Sequence, residues 1–196
     1  MSASVWFEEV SAGLLNELKS TVRIKDKDGA LIALPKPEKA FTVRKPEEDF
    51  KFEVFPCVSI YGKSSSHDPM RYDWQRKVMA QDRVTHRTVV EDQAVPYNLD
   101  FQIDFWSKYQ SDMDVMTRTW LMRHFRDFNL SVVDDGGHPR LVYVHAVGNI
   151  YKSDLVVNKE RLFHQIANYS IWVEIDDEMQ YNVPMVTEVE IETVQM

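Results

Sequence analysis

Cysteine is all but missing from this 196-residue chain: Cys57 stands alone, so an intrachain disulfide and a paired-cysteine metal site are both excluded. A reducing compartment is the simplest setting for that usage. Glycine is scarce as well, at six residues, and none is spaced as a phosphate-cradling loop. Long apolar runs are lacking, since nothing approaches the roughly 20 residues of a membrane-spanning helix. The opening MSASVWFEEVSAGLL has no basic flank and carries Glu8 and Glu9 among its apolar residues, unlike a secretory leader. These absences lead us to expect a soluble protein, intracellular where it is made, with no membrane partner. Basic charge is also in deficit: 31 acidic residues against 23 basic ones leave a net charge of −8. That balance argues against sequence-blind nucleic-acid binding, which draws its affinity from Lys and Arg on phosphates, and no motif points to sequence-specific nucleic-acid binding. Gly-x-Ser-x-Gly elbows and zinc-protease helices are missing too.

What is present is hydrophobic patterning: 44% of residues are hydrophobic and 12% aromatic, enough for one well-buried core. We expect a single domain over 1–196. Its centre is Val95 to Phe125. From Leu99 to Phe105 the apolar Leu99, Phe101, Ile103 and Phe105 alternate with Asp100, Gln102 and Asp104, the period of a half-buried strand. After Trp106 the period lengthens. Met113, Met116, Trp120, Leu121, His124, Phe125 and Phe128 recur at helical spacing, with Ser111 or Asp112 placed to cap.

Upstream, Val5 to Lys19 has Phe7, Val10, Leu14 and Leu18 on one helical face, with Gly13 as its weak point. Thr21–Lys25 and Ala30–Leu34 flank Asp28-Gly29 and predict a hairpin. The proline- and charge-rich Pro35 to Asp49 predicts an extended surface connection or an arm reaching a neighbour, and Phe50 to Tyr61, broken by Pro56, an edge or bulged strand. GKSSSHD, Gly62 to Asp68, has loop composition, and Pro69 to Gln81 reads as a second arm carrying Tyr72 and Trp74. Arm or loop insertions are therefore expected at 35–49 and 62–81. Asp82 to Val90 predicts a strand that turns through Glu91-Asp92-Gln93 into the central one. Downstream, Asp134-Asp135-Gly136-Gly137 is a turn, Arg140 to Val147 a strand buried on both faces, and Gly148 to Glu160 a polar loop. Phe163 to Ile175 alternates as a long strand with Trp172 on its polar parity, Asp176-Asp177-Glu178 turns, and Met185 to Thr193 alternates again. The class is α+β: one mainly antiparallel sheet packed against an N-terminal and a central helix, with long polar loops or arms.

Candidate chemistry is thin. His67 with Asp68, and His138 beside Asp134 and Asp135, place metal-ligating types in turn-like sequence where polar residues are the default. His86 and His164 fall in strands, as core-edge histidines. The row Asp100, Gln102 and Asp104 is either acid–base machinery or a solvated or subunit-facing surface. Aromatics on polar parities say more: Trp106 and Trp172 each need a covering layer, either a helix of the same chain or a partner. We take Trp106, Asp100, Asp104, Trp172 and Trp74 as candidate partner-contact residues, with no catalytic, cofactor or metal residues.

Pro96 to His124, containing LDFQIDFW and SKYQSDM, followed by RLFHQIANYSIWVEI at Arg161 to Ile175, resembles the tail terminator, tail-completion and sheath-terminator proteins of contractile-tailed bacteriophages. That resemblance implies a structural virion protein without enzymatic activity or cofactor. It implies a ring, usually a hexamer, that caps the head-proximal end of the tail tube and stops its growth. Its expected partners are its own copies, tube and sheath protein, and a neck or connector protein. The alternatives are a head-completion protein that binds portal, a small metal-dependent hydrolase built on Asp134, Asp135 and His138, and a host-directed binding module.

Overall fold

The computed structural model describes residues 5–44, 54–71, 77–82, 87–91, 94–124, 126–134, 136–157, 160–175 and 180–184. In chain order the elements are helix α1 (Phe7–Thr21), strands β1 (Arg23–Lys25) and β2 (Leu31–Ala33), helix α2 (Pro37–Ala40), and strands β3 (Phe41–Arg44), β4 (Cys57–His67), β5 (Lys77–Asp82), β6 (Arg87–Glu91) and β7 (Val95–Ser107). Helix α3 (Gln110–His124) and strands β8 (Phe128–Val133), β9 (Pro139–Val157), β10 (Glu160–Ile175) and β11 (Gln180–Pro184) follow. This is an α+β fold built on a curled, mixed six-stranded sheet of order β3-β4-β7-β10-β9-β8. Among the described residues only the β3–β4 pairing is parallel. β1 and β2 form a separate hairpin, and β11, β6 and β5 a separate three-stranded sheet.

Period-2 alternation decides which sheet face is core. The register sets Leu99 opposite Ile171, Phe101 opposite Tyr169 and Ile103 opposite Ala167, all buried. On that face α3 packs on β7 and β10. Met113, Met116 and Trp120 are fully or nearly enclosed there, and Trp120 Nε1 donates to Tyr169 Oη at 2.7 Å, which satisfies the buried indole. α1 touches β8, β3 and β4, so it bridges the two ends of the curled sheet. Gly13 makes this possible. A Cβ there would stand 2.8 Å from Val132 Cγ1 and 3.1 Å from the Ser131 carbonyl, so helix and edge strand approach more closely than any other residue allows.

Several expectations are corrected. Phe41 is buried and extends β3 beside β4, so part of the Pro35–Asp49 segment is an edge strand, while 45–49 lie outside the described residues. β4 is interior rather than an edge; Pro56 precedes it, and the bulge falls at Gly62 to Ser64. The expected loop Gly62–Asp68 is strand as far as His67: Ser64, Ser65, Ser66 and His67 pair with Asp100, Leu99, Asn98 and Tyr97. Backbone pairing against β7 supplies there what side-chain hydrophobicity does not. β6 pairs with β5 and β11 and not with the central strand. α3 starts at Gln110, so Ser111 and Asp112 sit inside it; Ser107 Oγ accepts from Tyr109 N–H ahead of the first turn, and Phe128 belongs to β8. β9 buries Val142 and Val144 but exposes Leu141 on its other face, and it runs on to Val157 through the stretch expected to be a loop, with Gly148 at φ 76°. The hairpin at Asp28-Gly29 forms as expected, with Gly29 at φ 83° and Asp26 Oδ1 accepting from the Asp28 and Ala30 amides. Trp74, His86 and Met185–Thr193 lie outside the described residues.

Candidate functional site

The face of the sheet away from the helices collects the polar parity of four strands. From one end to the other, β7 and β10 set Trp106 opposite His164, Asp104 opposite Ile166, Gln102 opposite Asn168, Asp100 opposite Ser170, and Asn98 opposite Trp172. Eight residues separate the ends, about 26 Å of strand. The row Asp100, Gln102 and Asp104 therefore exists as read from the sequence, but its members differ in environment.

At the Trp106 end the row is sealed within the chain. Asp104 is 0% exposed and Trp106 is 6% exposed. Asp104 Oδ1 lies 3.0 Å from His164 Nε2 and accepts from Gln102 Nε2 at 2.6 Å, while its Oδ2 meets Ser59 Oγ at 3.5 Å and the Arg44 guanidinium at 3.9 Å. The Trp106 indole stacks on the His164 ring at 3.6 Å with 7° between planes. The expectation that Trp106 and Asp104 are open to a partner is thus corrected: folding already buries both, and α1 and α3 lie on the other face. His164 is buried in a strand as expected, with its Nδ1 facing Ser153 Oγ at 3.1 Å. Ser153, His164 and Asp104 thus stand in the order of a hydroxyl-activating relay. Ser153 and His164 are directly opposed partners in the β9–β10 ladder, so register alone accounts for that contact. Chemically the group is a polar strut, buried at Asp104 and His164 and exposed at Ser153.

At the Trp172 end the face is open. Trp172 is 40% exposed, 4.5 Å from the Tyr143 ring on one side and 5.0 Å from the Arg71 guanidinium on the other. Arg71 is itself pinned: its Nε donates to Asp68 at 2.8 Å, and its terminal nitrogen to the Tyr97 carbonyl and to Asn98 Oδ1. The Arg71 hydrogen bond foremost, with the Met70 amide and the Asn98 side-chain amide behind it, holds the Asp68 carboxyl below the usual carboxylate range. Sequence reasoning did not find Arg71. Leu141, at 73% exposed, and Val133, at 58%, continue the apolar strip towards β8. A hollow of about 280 Å³ beside Trp172 is lined by Val5, Arg71, Arg140, Leu141, Tyr143 and Glu174 among others. Between the two ends Asp100 is half-buried and accepts from Ser64 Oγ at 2.8 Å.

The metal candidates resolve into turn architecture. Asp134 is buried and its Oδ1 accepts from the His138 amide at 2.8 Å, while Oδ2 accepts from Arg140 at 2.9 Å. These contacts, the His138 amide foremost, lower its pKa. Asp135 lies outside the described residues. Asp68 is turned onto Arg71, and His67 meets the Tyr97 ring. Among the described residues no cluster of three potential metal ligands forms.

No family model matches this chain, and no curated protein sequence does. Among solved structures its fold is similar to the PVC sheath/tube terminator of an extracellular contractile injection system in the extended state, determined by cryo-electron microscopy. The TM-score is 0.51 and the identity 14%, over 98% of this chain and 64% of that one, so the chain spans 64% of its neighbour's length.

Proposed function

We propose that this chain is a structural terminator of a contractile tail or injection particle: copies assemble as a ring, a hexamer in the simplest case, on the end of the tube, stop its growth, and offer a surface to sheath and neck. The observation that carries the reading is the fold similarity to a sheath/tube terminator over 98% of the chain. It agrees with the sequence resemblance at Pro96–His124 and Arg161–Ile175. The open strip of Trp172, Tyr143, Leu141 and Val133 supports a protein that works by contact, because a row of large apolar side chains on one sheet face is covered at low cost by a neighbour. The hydrolase alternative loses its motive, since both Asp134 oxygens are engaged in the β8–β9 turn. In this reading the protein resides in the particle, has no cofactor and catalyses nothing.

The test is assembly. Purified protein mixed with tail tubes and imaged in negative stain is expected to form annuli at one tube end, and sedimentation of the protein alone to show a discrete oligomer. A chain that stays monomeric and never decorates tube ends overturns the proposal. One that binds portal rings and ignores tubes is the head-completion protein instead.

A further inference from the structure

β9 is longer than the strand that flanks it. β8 pairs with Pro139–Val144 only, whereas β10 pairs with β9 as far as Val157. Beyond the irregularity around Gly148, the edge of β9 from Tyr151 to Val157 therefore carries a row of backbone donors and acceptors with no strand beside them among the described residues. Tyr151, Lys152, Ser153 and Asp154 are all exposed there. An open edge of this length is a template for another strand.

The flanks of the edge say what kind of strand. On the helix side a groove of about 690 Å³ separates β9 from α3, with Leu121, Met122 and Ile150 as its apolar lining and Arg118 and Lys152 at its rim. Arg118 has no acidic partner among the described residues, and Lys152 reaches only the exposed Asp114 at 3.6 Å, a weak pair. On the opposite face Tyr151 is 60% exposed and Val147 is 44% exposed. A strand that fits carries acids on one parity, over Arg118 and Lys152 with their methylene stems on the groove lining. It carries apolar residues on the other parity, alongside Tyr151 and Val147. Residues 187–193 of this chain read Thr-Glu-Val-Glu-Ile-Glu-Thr: Glu188, Glu190 and Glu192 on one parity, Val189 and Ile191 on the other. Seven residues of strand span about 23 Å, the same reach as Tyr151 to Val157.

We propose that residues 187–193 of one copy add as a strand to the Tyr151–Val157 edge of a second copy, with Glu188 and Glu190 facing Arg118 and Lys152. The inference rests on the ring assembly proposed above for its partner, and it identifies the contact that links neighbouring copies. Two full-length variants separate the halves of the contact. Arg118→Glu with Lys152→Glu disables the edge and keeps the strand. Glu188→Lys with Glu190→Lys disables the strand and keeps the edge.

Each variant alone is expected to sediment as a monomer at concentrations where the unsubstituted chain is an oligomer. Mixed one to one, they are expected to regain the oligomer with the two variants alternating, because each strand then meets an edge of opposite charge, and the chain carrying all four substitutions is expected to regain it alone for the same reason. A labelled peptide of residues 185–196 is expected to bind the strand-disabled variant, and to bind the edge-disabled variant at least about tenfold more weakly. If both double variants form the same ring as the unsubstituted chain, the strand contact is overturned and ring assembly stands. If no chain forms a ring but the peptide binds with the charge dependence stated, the edge stands and ring assembly falls. Absence of peptide binding overturns the edge, and variants that fail to pair while the peptide binds show that the strand docks on its own chain, which overturns the second-copy assignment.

Discussion

Asp104 and Asp100 occupy the same parity of the same strand two turns of alternation apart, yet they do different work. Asp104 is enclosed and serves as acceptor for Gln102 and partner for His164, whereas Asp100 meets Ser64 on an accessible face. Replacing Asp104 with Leu leaves a buried His164 nitrogen and the half-buried Gln102 amide without their acceptor, so we expect a loss of about 1–3 kcal/mol. Replacing Asp100 with Ala should stay within about 0.5 kcal/mol. Urea unfolding of the two variants checks the contrast, and equal losses would contradict it. Cys57 makes a second residue-scale case. Burial pushes its thiol up to about 12, so at neutral pH the thiolate that reacts with disulfide reagents is scarce and enclosed. Native protein is expected to leave such a reagent unreacted for as long as it remains folded, and denatured protein to consume one equivalent at once.

Between elements, the joints of α1 are the sensitive places. Alanine at position 13 gains about 1 kcal/mol of helix propensity over glycine. Its Cβ, however, has to displace the stiff Val132 side chain and crowd the Ser131 carbonyl. Overpacking of this kind costs about 1–3 kcal/mol, so Gly13→Ala is expected to lower the melting temperature although it improves the helix. The other joint ties α1 to α3. His124, buried against the Trp120 and Phe128 rings, meets Glu17 at 3.1 Å. Desolvation is the largest influence and holds the imidazole below its ordinary 6.5, with Glu17 opposing it. Above 6.5 both folded and unfolded chains carry a neutral ring. Just below it the unfolded chain takes up a proton that the folded chain declines, so stability falls as the pH is lowered from 6.5 towards the folded value. In His124→Gln that part of the slope should flatten. Melting temperatures of both proteins between pH 7 and 5 decide the matter, and parallel curves would exclude His124 as the source.

For the whole molecule, the uneven distribution of exposed apolar side chains separates the two ends of the outer sheet face. The end at Trp106 is closed by folding, and the end at Trp172 is left for something else. If that something is a neighbouring copy, Trp172→Ala weakens assembly while leaving the fold intact, because the side chain is 40% exposed before any partner arrives. We expect a loss of about 2 kcal/mol in association, the scale of an aromatic interface anchor, measured by sedimentation across a concentration series. A change in monomer stability with unchanged association would assign Trp172 to the fold instead.

Alternation and helical spacing are local properties, and they determined what depends on local chemistry: the core parity of β7 and β10, the course of α1 and α3, and the Asp-Gly hairpin. The sequence also placed Trp172 on the polar side of its strand, where it is found. Strands whose identity rests on a neighbour were illegible. GKSSSHD carries no apolar signal, and it is a strand because Asn98 to Asp100 present an edge to pair with. Phe41–Arg44 is a strand because β4 lies beside it, and β9 continues past Gly148 because β10 runs alongside. The same holds for the candidate contact residues. Trp106, Asp104 and Trp172 share one parity and one composition of neighbours in sequence, and nothing in their spacing separates them. Burial is a property of what crosses a face, and only tertiary structure brings Arg44, Ser59 and His164 around Asp104 and Trp106 while leaving Trp172 between Tyr143 and Arg71 in the open.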